Sequence, residues 1–369
     1  MKIGKSLREL AEEIERRANN KRDMIVNTGR LEMQAIPFET IEPQIRLNVG
    51  QESFQANELA HDQIGTYTEI PSKYYDRMRK ESPELLARNV NHWFKEKGEN
   101  RMVRTLDGKA RAFLSDRYRP LENEDLALAI LPILLSNDRF DLMSCEVTDK
   151  RLYLKVVDKA VNRELAKTGN QLGDGQHKIV QIVAPAITIS NSEVGAGALS
   201  IQAGMFNRFC SNLATFEARS MKKYHVGARH EMLGDFDVTM LSADTRQKSD
   251  VALWAQVRDV LNGAFDETRF QALVDTVEGT RKDDIREADI VKIVTLSSRA
   301  VGVTEGEEKG ILKHLIEGGD LTRFGVHNAI TAFSQTVESY DRATELERAG
   351  AALVELPRGE WQKIVALAS

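Results

Sequence analysis

The chain has 369 residues, 41% of them hydrophobic and 29% charged, which is the balance of a folded globular protein and excludes intrinsic disorder. It is long enough for two domains or one large domain with an appendage. The net charge of −5 conceals a gradient: residues 151–231 carry 11 Lys/Arg against 6 Asp/Glu, and residues 232–369 carry 16 against 24. A basic middle beside an acidic end suits an anionic partner held on one element of the body.

No apolar run reaches the roughly 18–20 residues of a membrane span, and the opening M-K-I-G-K-S-L-R-E-L lacks a signal-peptide core. No membrane partner and a cytoplasmic location are therefore expected. Cys145 and Cys210 match no metal-ligand spacing and read as core thiols in a reducing compartment.

Ser6 and Glu9 form a capping box ahead of an amphipathic helix over 5–18, with Leu7, Leu10, Ala11, Ile14 and Ala18 on one stripe. Strand-like alternation follows at 24–28 and 44–49. The stretch 54–94 reads as helical, with Pro71 in one first turn and Ser82-Pro83 as N-cap and N1 of another. From 101 to 115 a hairpin turns at Asp107-Gly108. A helix over 124–135 precedes a second hairpin over 141–157, turning near Asp149-Lys150.

The polar segment 161–177 reads as a surface loop. K-I-V-Q-I-V-A-P-A-I-T-I-S is expected to be a strand pair or a bulged strand, because Pro185 removes a ladder donor. The pattern of M-F-N-R-F-C-S-N-L-A-T-F-E fits either a helix or a strand. Beyond about 240 helices are expected over 246–262, 267–278, 283–299, 305–317, 321–349 and 359–368, with Gly350 capping the fifth. The predicted class is α+β: a β-rich N-terminal and central region with flanking helices (1–240), then a mostly helical C-terminal region (241–369).

Walker-type, dinucleotide-binding, H-E-x-x-H, C-x-x-C and nucleophile-elbow motifs do not occur, so the sequence implies no cofactor and names neither a catalytic residue nor a metal ligand. Positive signals come from basic clusters. Arg117 and Arg119 flank Tyr118, joining two phosphate-matching forks to a stacking ring. Arg219, Lys222, Lys223, Tyr224 and Arg229 repeat that mixture, and Arg151 with Lys155 shares one strand face by even spacing. The pairs Ser190-Asn191 and Ser211-Asn212 close apolar runs around Gly195, Gly197 and Gly204, a pattern suited to orienting a binding groove.

Four segments together carry a family pattern: F-L-S-D-R-Y-R-P-L-E-N (113–123), S-N-S-E-V-G (190–195), F-C-S-N-L (209–213) and G-V-H-N-A-I-T-A (325–332). In this order they resemble the phage- and plasmid-borne family catalogued as domain of unknown function 932, over about 100–365. Leu213 departs from it, many members having glycine there. The resemblance implies work on mobile-element DNA without naming a reaction.

Three readings follow. The leading one is a single-stranded nucleic-acid-binding protein, a strand annealer working as a homo-oligomer. The second is a module docking a phage or host protein through the acidic helical end. The third is a metal-dependent nuclease using Asp116, Glu122, Glu124 or Glu193.

Overall fold

A computed structural model describes residues 1–36, 44–165, 181–223 and 243–369. The fold is α+β, with twelve α-helices and two six-stranded sheets among those residues. Helix α1 (Leu7–Asn20) leads into β1 (Lys21–Asn27), β2 (Leu31–Ile36), β3 (Gln44–Val49) and β4 (Glu52–Ala56). Three helices follow, α2 (Glu58–Thr68), α3 (Ser72–Glu81) and α4 (Pro83–Lys97), and then the hairpin β5 (Asn100–Leu106) and β6 (Lys109–Ser115).

These strands form the N-terminal sheet in the order β1-β5-β6-β4-β3-β2, in which only β4 and β6 run parallel. Leu47, Phe54, Val103 and Phe113 of this sheet share one core with Ile64, Leu86, Val90 and Phe94 of the helices. The capping box at Ser6 and Glu9 is present. The β5–β6 turn takes positive φ at both Asp107 and Gly108, the geometry a two-residue hairpin with a right-handed twist requires. Phe54 to Ala56, expected to be helical, belongs to β4, and its helix begins only after the Asn57 cap.

The central sheet follows α5 (Asn123–Leu135). It comprises β7 (Phe140–Val147), β8 (Leu152–Asp158), β10 (Gln181–Asn191), β11 (Leu199–Asn207) and β12 (Asn212–Lys223) in the order β12-β11-β10-β8-β7. The short β9 (Arg163–Leu165), inside the segment read as a loop, adds to the start of β10, with Leu165 buried. Residues 205–217, whose pattern fits either a helix or a strand, lie within the β11–β12 hairpin.

Contrary to expectation, β10 is one continuous strand paired on both sides. The Arg208 amide bonds the Ile182 carbonyl, so even-numbered residues of β10 face β11 and Pro185 faces the other way. On that side β9 pairs through Val183 and β8 begins at Ala186. Proline's missing donor thus falls in the gap between two partners.

Helices cover both faces of this sheet. Leu10 and Ile14 of α1, Leu126 and Ile130 of α5, and Leu253, Val257 and Leu261 of α6 (Ala243–Ala264) pack on Leu154, Val156, Ile187 and Ile189. Val183, Met205 and Phe216, which the register puts on the same face, share a core with α7 (Glu267–Gly279), α10 (Arg323–Phe333) and α11 (Tyr340–Glu355), and α11 also meets the opposite face, where its Glu347 pairs with Lys155. With α8 (Ile290–Ala300), α9 (Glu305–Gly318) and α12 (Arg358–Ala368) they also enclose a core of their own.

The predicted helix 321–349 is two helices, α10 and α11, because Ser339 caps a new start by accepting from the Arg342 amide. Gly350 lies inside α11 rather than at a C-cap. A Cβ there would stand 2.6 Å from Thr331 Cγ2, so the glycine permits close crossing of α10 and α11. The boundary expected at 240/241 lies outside the described residues.

Candidate functional site

The segment from Ser192 to Ala198, which joins β10 to β11, is the point where the two sheets meet. Gly195 (φ +77°) and Gly197 (φ +155°) supply conformations that other residues adopt only under strain. The segment is held from several sides. Tyr118 Oη donates to the Ser192 carbonyl at 3.2 Å and accepts from the Gly195 amide at 3.1 Å. Gln63 donates to the Val194 carbonyl at 2.7 Å while accepting from the Phe113 amide at 2.7 Å. The Arg151 guanidinium donates to the Ala196 carbonyl.

Beneath it lies an arginine–carboxylate network. A β-bulge between Arg104 and Thr105 leaves Arg111 as the extra residue of β6, and its Nη1 bonds Glu193 at 2.9 Å. The other Glu193 oxygen accepts from the Asn123 amide at 2.7 Å. Arg104, fully buried, binds Asp23 at 2.8 Å, Glu122 at 2.6 Å and the Glu193 carbonyl at 2.6 Å. Lys21 reaches the second Glu122 oxygen at 2.8 Å. Burial alone would raise the Glu122 pKa, but Arg104 and Lys21 outweigh it and hold the carboxyl at about 2. Burial pushes the Tyr118 phenol well above its ordinary value, so it stays a neutral donor.

The sequence-predicted residues separate into those this segment gathers and those it does not. Arg117 is exposed, while Tyr118, Arg119 and Arg151 are half-buried. Lys150, beside Arg151 in the β7–β8 turn, is exposed. On β12 the register sets Lys222 opposite Ser200 and Lys223 opposite Leu199, the first residues after the segment. One end of the central sheet therefore collects positions 117, 118, 119, 150, 151, 222 and 223. Arg219 lies farther along β12, and Tyr224 and Arg229 lie outside the described residues, as do His225 and His230.

Other predicted residues are elsewhere. Lys155 is fully buried against Glu347 of α11 at 2.7 Å, with its ammonium 4.5 Å from the centre of the Tyr340 ring. Burial lowers its pKa, Glu347 acting in opposition. An ammonium enclosed by a helix is not presented to a phosphate at the surface, so the structure places Lys155 in the interior instead. Ser190 and Asn191 are also fully buried, Asn191 donating to the Leu121 carbonyl at 2.7 Å and to Asn123 Oδ1 at 2.9 Å.

Ser211 and Asn212 lie at the opposite end of the sheet, in and after the β11–β12 turn. The turn is closed by Ser211 at φ +55° rather than at position 213. Leu213 is buried in β12 and packs in one cluster with Phe206 and Ala184. The two Ser-Asn pairs do not share a groove.

Sequence reasoning missed Arg104 and Arg111. Their signal is a charged residue set among apolar ones in R-M-V-R-T-L and K-A-R-A-F, since a buried cation demands a carboxylate partner. Of the four carboxylates considered for metal chemistry, Glu122 and Glu193 are taken up by these arginines. Among the described residues no group of three or more His, Cys, Asp or Glu is arranged to hold a metal ion.

The four family-pattern segments meet two by two. Residues 113–123 dock on 190–195 through Tyr118, Asn123 and Asn191. Residues 209–213 dock on α10 and the turn after it: Asn212 donates to the Asn328 carbonyl at 3.3 Å and accepts from Gln335 at 2.6 Å. No family model, curated protein or solved structure matches the chain significantly. No described helix is long and apolar enough to cross a membrane.

Proposed function

We propose that this chain binds single-stranded nucleic acid along the basic rim around Ser192–Ala198. The observation that carries the reading is the convergence at one end of the central sheet of Arg117, Arg119, Lys150, Arg151, Lys222 and Lys223, drawn from three separate stretches of sequence. Asp116 and Asp149 are the acids next to them in sequence. Such a rim neutralises a phosphate backbone without reading bases, and it leaves Watson–Crick edges open for pairing. Strand annealing by an oligomer in the host cytoplasm, and membership of the domain of unknown function 932 family, belong to the same proposal.

Six phosphate contacts on a single strand give a slope near −4 in log affinity against log salt, or roughly a 300-fold loss from 50 to 200 mM salt. Fluorescence anisotropy with a labelled strand of roughly 40 nucleotides, beside its duplex, measures this directly. Converting Lys222 and Lys223 to Glu should weaken binding strongly and flatten the slope by about 1.4. Unchanged affinity and slope in that variant, or no binding at low salt, would remove the assignment.

A further inference from the structure

An open groove of about 450 Å³ lies between α2 and the β5–β6 end of the N-terminal sheet, lined by Gln63, Tyr67, Lys97, Arg101, Leu114 and Ser115 among others. That volume falls in the roughly 300–1,000 Å³ range of small-molecule sites. The groove adjoins the rim: Arg101 pairs across the sheet with Ser115, two residues before Arg117. A Cβ on Gly195 would stand 2.6 Å from Leu114 Cδ2, so the groove wall touches the Ser192–Ala198 segment itself.

Its cations are arranged in an unusual way. The Arg101 guanidinium sits 4.2 Å from the centre of the Tyr67 ring, and the Lys97 ammonium 5.1 Å from it. Tyr67 is buried, so the ring serves as a floor under the guanidinium rather than as a stacking surface. Arg101 Nε is buried and lacks a hydrogen-bond partner, while Nη2 is tied to Glu99 at 3.0 Å. The Arg101 side chain is 23% exposed and lines the groove, with the Tyr67 ring packed against its guanidinium. Lys97 donates to the Tyr67 carbonyl and to Glu69, both at 2.7 Å, and Glu69 is 80% exposed, a carboxylate that swings into water at little cost.

We infer that this groove takes one nucleotide of the strand held on the rim, its base stacking on the Arg101 guanidinium and its phosphate replacing Glu69 on Lys97. A guanidinium plane backed by an aromatic ring is a stacking platform that accepts any base, as binding without sequence preference requires. A purely anionic ligand would leave that plane unused, and an apolar one would strand both cations.

The inference rests on the rim reading, and the test separates the two. Wild-type protein and Arg101→Lys are titrated with a normal strand and with a strand of equal length carrying abasic sites throughout. Lysine keeps the charge and removes the plane, so Arg101→Lys should bind the normal strand roughly fivefold or more weakly with its salt slope unchanged. The abasic strand should cost the wild type several-fold more than it costs Arg101→Lys. Lys97→Gln should lower the slope by about 0.7. Equal abasic penalties in both proteins would overturn the groove alone and leave the rim standing. Absence of binding to either strand would overturn both.

Discussion

Replacing Lys155 with methionine removes one half of an ion pair that is wholly enclosed, Lys155 and Glu347 being 0% exposed and 2.7 Å apart. The buried Glu347 carboxylate loses its direct partner and keeps only the electrostatic attraction of the Met1 ammonium, a situation that costs up to about 3–5 kcal/mol. Loss of the cation from the face of Tyr340, 4.5 Å away, acts in the same direction. For 369 residues unfolding together, an entropy of about 2.1 cal/mol/K per residue makes the unfolding entropy roughly 0.8 kcal/mol/K, so Tm should fall by up to about 4–6 °C. Adding Glu347→Leu removes the stranded charge and should restore most of that loss. Differential scanning calorimetry of the wild type, Lys155→Met and the double variant measures all three. A single variant within 1 °C of wild type, or a double variant no better than the single, would refute the reasoning. The double variant should also bind nucleic acid like the wild type, since Lys155 faces α11 and not the rim.

Acid should act on the arginine network between the sheets. The folded pKa of Glu122 is held at about 2 against an ordinary value of 4.5, so its stabilisation is complete above 4.5 and lost as pH falls toward 2. Glu122→Gln should flatten the stability curve in that window when unfolding is followed by circular dichroism against pH, and an unchanged curve would count against the pairing with Arg104 and Lys21. At the α10–α11 crossing, Gly350→Ala should destabilise by about 1–3 kcal/mol despite alanine's higher helix propensity, because the new methyl meets Thr331 Cγ2 at 2.6 Å. Thr331→Ser deletes that methyl and should rescue the variant in urea melts; a stabilised Gly350→Ala alone would show that the helices separate easily.

What the sequence made legible was local. The Ser6–Glu9 capping box, the Asp107-Gly108 turn and the Asp149-Lys150 hairpin each depend on residues within a few positions, and each is present. Pro185 misled because its tolerance is set by which neighbour stands opposite, and the interruption between β9 and β8 is a property of the sheet. Lys155 misled for the same reason: its even spacing from Arg151 fixes a strand face correctly, but only α11 decides whether that face meets solvent. Ser190 and Asn191 close a strand as read, yet both faces of that strand are covered, and Asn191 serves the Leu121–Asn123 entry to α5.

The rim has a consistency that separate clusters would lack. Tyr118, Arg151 and the start of β11 are fixed to one short segment through its backbone, and Arg104 and Arg111 anchor the same segment from below by spending their charge on Glu122 and Glu193. Glu122 and Glu193 therefore already have cations of their own beneath the rim. A Cβ at Gly197 would stand 2.0 Å from Arg151 Nη2, so the glycine lets the guanidinium lie directly on the backbone. The glycines and the Ser-Asn pair that mark this stretch in the sequence thus act indirectly: they shape a rigid support, and the residues that would meet an anionic partner are the cations the support holds in place.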